Sequence, residues 1–114
     1  LSVSGINMSD VDIGKKVDYK TLETALIKAA EEIGWKARVE DKFKKNYRLG
    51  SVQEVQNYEF TQVFLSGKLL PAMRVIISKK DAPINRFSVW AGIPYGFAPE
   101  RKVQEYLSAV SKNL

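Results

Sequence analysis

Near Gly34 the apolar residues of this chain change their period. Upstream, Leu22, Ala25, Leu26, Ala29 and Ile33 recur at three- and four-residue steps, which makes one apolar stripe along a helix. Downstream, Trp35, Ala37, Val39 and Phe43 alternate with Lys36, Arg38, Glu40, Lys42 and Lys44. That is the period of a strand with one dry face and one charged face. A helical pattern does not settle as a strand, nor the reverse, so the boundary commits the chain to a helix packed on a sheet. Local chemistry marks the helix ends. Asp18 suits the N-cap, Val17 and Leu22 are spaced for a hydrophobic staple, and Gly34 suits the C′ position, where positive φ costs it nothing.

Three further strands follow. In "QEVQNYEFTQVFLSGK" Tyr58, Phe60 and Phe64 share one parity, and Val63 and Leu65 the other. "LLPAMRVIIS" sets Met73, Val75 and Ile77 against Arg74 and Ile76; "RFSVWAGI" sets Phe87, Val89 and Ala91 against Ser88 and Trp90. Gly50-Ser51, Ser66-Gly67-Lys68 and "KKDAPIN" read as the connections. Asp41 falls on the apolar parity, which leaves a bulge, a strand end or a functional carboxylate as the readings there. A second amphipathic helix closes the chain, with Pro99 at its first position and Val103, Leu107, Val110 and Leu114 on one face. "LSVSGI" or "DVDIGKKV" adds a strand near the start, and residues 1–12 are expected to be the loosest part of a single domain spanning 1–114.

The order (β)αββββα implies an α+β two-layer sandwich: a four- or five-stranded antiparallel sheet with both helices on one face. This order resembles the repeat unit of TATA-binding-protein-like folds and, more loosely, helix-grip folds. The resemblance implies a topology only. No motif of either family is matched, so no functional residue carries over.

Composition excludes several chemistries. There is no cysteine and no histidine, hence no disulfide, thiolate nucleophile, His-dependent triad or zinc site of the usual ligand types. No catalytic residue, cofactor or metal is assigned; Asp10 and Asp12 lack the rest of an EF-hand loop. No apolar run approaches the ~20 residues of a membrane span, and the opening lacks a secretory pattern, which fits a cytoplasmic protein. Net charge is +5 and segmental: residues 36–48 hold six basic and two acidic groups, and residues 68–86 hold five and one.

Two site readings follow. On the first, Lys36, Arg38, Lys42, Lys44, Arg74 and Trp90 share the sheet face opposite the helices. Cations beside an aromatic platform suit single-stranded nucleic acid. The competing explanation is a plain solvated face, with Glu40 and Glu59 opposing phosphate. On the second, Tyr58, Phe60, Tyr95 and Phe97 line a small-ligand pocket between helices and sheet; otherwise these aromatics are core and crossover anchors. A third use of the outer face is homo-oligomerisation through Val63, Leu65, Ile76 and Trp90.

Overall fold

The computed structural model describes residues 9–39, 43–48, 55–66, 71–78, 83–91 and 97–114, with residues 43–48 and 55–60 entering through their backbone pairing alone. Its elements are β1 (Ser9–Val17), α1 (Tyr19–Glu32), β2 (Lys36–Val39), β3 (Phe43–Arg48), β4 (Val55–Ser66), β5 (Pro71–Ser78), β6 (Ile84–Ala91) and α2 (Glu100–Asn113). The described strands form one antiparallel sheet in the order β1-β6-β5-β4-β2, with β3 also paired to β4. The chain is an α+β protein of two layers. "DVDIGKKV" is the additional strand, and it closes the far edge of the sheet against β6.

The single charged strand expected after Trp35 is in fact two, β2 and β3, laid end to end along the 12-residue β4. Three residues separate Val39 from Phe43, whereas two separate their partners Val63 and Phe60. The two pairings are therefore out of register with each other by one residue. Asp41, the residue that breaks parity, lies outside the described residues. Counting β2 and β3 as one interrupted edge restores the order βαββββα.

α1 begins and ends as the sequence specifies. The Asp18 Oδ1 accepts from the Thr21 N–H at 2.7 Å. At the other end Gly34 has φ +79°, its N–H donates to the Glu31 carbonyl at 3.0 Å, and the Trp35 N–H donates to the Ala30 carbonyl at 2.8 Å. This pair of bonds is a Schellman motif, and it turns the chain from helix into β2. Pro99, expected as the first helical residue of α2, is one position earlier: with ψ 154° it is the N-cap, and its carbonyl accepts from Lys102 and Val103.

The helices cover one sheet face. Leu22, Leu26, Val103, Leu107 and Val110 pack with Val63, Leu65, Met73, Val75, Ile77, Phe87 and Val89 in one core. Burying each such side chain stabilises the fold by about 1.5–3 kcal/mol. Tyr106 is the largest fully buried side chain among the described residues, and its hydroxyl donates to the Leu26 carbonyl at 2.9 Å, tying α2 to α1. The apolar pattern of α2 did not single it out.

Two pH effects follow. Burial raises the Tyr106 phenol well above its ordinary value of 10.0. The folded state therefore keeps this proton after the unfolded chain has lost it, so the contribution is full below pH 10.0 and is lost as pH rises beyond it. Tyr106→Phe should cost about 1 kcal/mol at neutral pH. It should also flatten the alkaline loss of stability, as followed by urea unfolding between neutral and alkaline pH. Asp18 behaves in the opposite sense: the Thr21 backbone hydrogen bond lowers its pKa from 3.8. Its contribution is present above that value and fades as pH falls through the lower folded value. Asp18→Ala should thus lower the thermal midpoint at pH 7, and the difference from the parent should shrink in acid.

Candidate functional site

Strand register decides which residues share the sheet face away from the helices. Phe64 of β4 pairs with Arg38 of β2 on one side and with Arg74 of β5 on the other; Arg74 in turn pairs with Trp90 of β6. Arg38, Phe64, Arg74 and Trp90 thus form one row across four strands, roughly 14 Å long at about 4.8 Å per strand. Their parity is opposite to that of Val63, Leu65, Met73 and Val75 in the helix-side core. The next row is Gln62, Ile76, Ser88 and Asp10, and beyond it Arg86 pairs with Asp12.

Both guanidinium groups of the first row approach the same ring. The Arg74 Cζ lies 4.9 Å from the Phe64 centroid and the Arg38 Cζ lies 5.8 Å from it. A guanidinium is planar and weakly hydrated, so it tolerates stacking on a ring better than an ammonium would. Each contact contributes about 0.5–1 kcal/mol where solvent reaches it. Arg38 is exposed, while Phe64, Arg74 and Trp90 are half-buried. The Arg74 Nε is buried and has no hydrogen-bond partner, and Arg74 makes no ion pair among the described residues. Ile76, 7% exposed, is the one buried apolar residue, among those described, that lies outside the helix-side core.

Acidic groups collect at the other end of the face. Asp10 accepts from the Ser88 Oγ at 2.9 Å. The Asp12 Oδ1 accepts from the Gly14 N–H at 2.8 Å, and its Oδ2 lies 4.0 Å from Arg86. That ion pair is more than half exposed and contributes little to stability. The face therefore runs from positive at β2 and β5 to acidic at β1.

Of the residues read from the sequence as a basic face, Lys36, Arg38, Arg74 and Trp90 share one parity. Lys42 lies outside the described residues. Lys44 does not continue the row: it pairs with Glu59, whose parity is that of Thr61 and Val63, because of the extra residue between β2 and β3. Val63 and Leu65, expected on the outer face as an assembly patch, are 0% exposed in the core beneath the helices. Of the pocket residues, Tyr95 lies outside the described residues, and Tyr58 and Phe60 are known only by their pairing with Lys45 and Phe43. Phe97 is 56% exposed, its N–H donating to the Ala72 carbonyl at 2.9 Å.

Phe64 is the member of the row that sequence reasoning missed. Alternating aromatics on a strand usually read as core, and with Val63 and Leu65 expected outside, Phe64 falls to the inner face until the neighbouring strands are in register. Elsewhere, a surface cleft of about 390 Å³ is lined by Glu31, Gly34, Trp35, Lys36 and Ala37. The Lys102 Nζ stands 6.0 Å from the Trp35 ring beside it. No cluster of three or more His, Cys, Asp or Glu suited to a metal occurs among the described residues, and no helix among them is long and apolar enough to cross a membrane.

No family model matches the chain, and neither does any curated protein or solved structure. The row must be read from its own chemistry. A double-mutant cycle with Arg74→Met and Phe64→Leu should return a coupling of about 0.5–1 kcal/mol by chemical denaturation. A coupling indistinguishable from zero would mean that the ring does not hold the guanidinium.

Proposed function

We propose that the protein is a non-enzymatic binding module, cytoplasmic in setting, that takes an anionic partner on its outer sheet face. Arg74 carries this reading. A cation held over a ring in mid-sheet, only partly buried and with no ion-pair partner among the described residues, is a group with which an incoming anion would pair. Arg38 and Lys36 extend the positive potential towards β2, and the net charge of +5 favours encounter with anions generally. A second reading is a homo-oligomer. It draws on the opposite charges at the two ends of the face, which would complement each other across a two-fold axis, with Ile76 and Trp90 between them.

Anion binding predicts strong dependence on salt. The protein should be retained on immobilised heparin at low ionic strength. Affinity for a phosphate polymer should fall with a log–log slope of about −0.7 to −0.9 per phosphate contacted. Arg74→Gln and Arg38→Gln should each reduce that slope by roughly one unit. Salt-independent retention, or none at low salt, would remove the proposal.

A further inference from the structure

We infer that the anionic partner is single-stranded nucleic acid, with an unstacked base on Trp90 and the adjoining phosphates at Arg74 and Arg38. This rests on the anion-binding reading of the face and narrows it. A simple polyanion needs only cations. Here cation and ring alternate across adjacent strands, Arg38, Phe64, Arg74, Trp90, one strand spacing apart. Indole and guanidinium planes both stack on nucleic-acid bases, and a sheet carrying rings on its central strands is a known kind of platform for bases that have left a helix.

Duplexes fit poorly. Their base faces are hidden, and their edges are read by elements that enter a groove. Arg74 and Trp90 are half-buried on inner strands. The acidic end sets a direction. Asp10 on β1 repels phosphate and Arg86 is already paired with Asp12, so the strand leaves Trp90 towards β2, where Arg38 and Lys36 are exposed. The footprint is therefore short, a few nucleotides laid across the strands.

The chain contains two tryptophans, so Trp35→Phe leaves Trp90 as the only indole reporter. That variant is titrated with a single-stranded oligonucleotide, with the same sequence as a duplex, and with heparin. The single strand should quench Trp90 emission and bind at least about tenfold more tightly than the duplex; heparin should bind without quenching. Trp90→Leu should weaken the single strand by at least about fivefold and leave heparin within about twofold, with Trp90→Phe intermediate. If Trp35→Phe fails to fold, anisotropy of labelled oligonucleotides on the parent, Trp90→Leu and Trp90→Phe proteins supplies the same comparison. Equal affinity for all three polymers, without quenching, overturns the inference and leaves anion binding standing. Binding to none at low salt overturns both. Sedimentation as a dimer that Arg74→Glu converts to monomer also overturns the inference, by giving the face to a second copy.

Discussion

Both faces of the sheet are fixed by one strand. β4 is long enough to pair with β5 along one side and with β2 and then β3 along the other. Its pairing with β5 runs without interruption from Phe60 to Leu65, so a single parity governs the middle of the sheet. Thr61, Val63, Leu65, Met73, Val75 and Ile77 lie on the helix side, and Gln62, Phe64, Arg74 and Ile76 lie on the outer face. A slip of one residue would exchange Val63 and Leu65 for Phe64 and Gln62 beneath α1 and α2, and the core would then have to bury Arg74. The cost of that exchange holds the register. The same register sets Arg38 and Arg74 on either side of Phe64.

The outer row is consequently a by-product of core packing that acquires chemistry of its own. Two guanidinium groups share one ring, and like charges at this range repel. The arrangement persists because the backbone positions are set by the ladder and the core, not by the cations. Positive potential is thereby concentrated mid-sheet, where half-burial of Arg74 lessens screening by solvent. Among the described residues, the acids of this face are also held apart from this potential: Asp10 by Ser88, and Asp12 by the Gly14 amide and Arg86, two strands away.

Much of this was legible in the sequence. The ends of α1, its apolar stripe, and the parities of β5 and β6 were readable because each depends on local spacing and capping. Arg74 and Trp90 were placed on the right face for the same reason. What was not legible needed the partner strand. The change of register between β2 and β3 exists only relative to β4, so the lysine alternation looked continuous through Lys44 when its register had already changed. Phe64 looked like core because alternating aromatics on a strand usually are, and because Val63 and Leu65, of the opposite parity, read from the sequence as the outer face. Tyr106 was missed because a buried phenol needs an acceptor, and that acceptor, the Leu26 carbonyl, is 80 residues away in sequence.

The basic residues of this face do not all need the same explanation. A strand at the edge of a sheet invites pairing with other chains, and charge, shortness and irregularity discourage it. β2 has four residues, two of them Lys36 and Arg38, and its edge is interrupted before β3. On the opposite edge, β1 carries Asp10, Asp12, Lys15 and Lys16, and it departs from β6 at Gly14, where φ is +85°. Edge protection therefore accounts for every charge on the two outer strands without any ligand. It does not account for Arg74. That residue is on β5, paired on both sides, where no edge requires blocking and an aliphatic side chain beside Ile76 would pack without leaving a buried Nε unsatisfied. The case for a binding face rests on that central arginine more than on the lysine-rich stretch that first draws the eye.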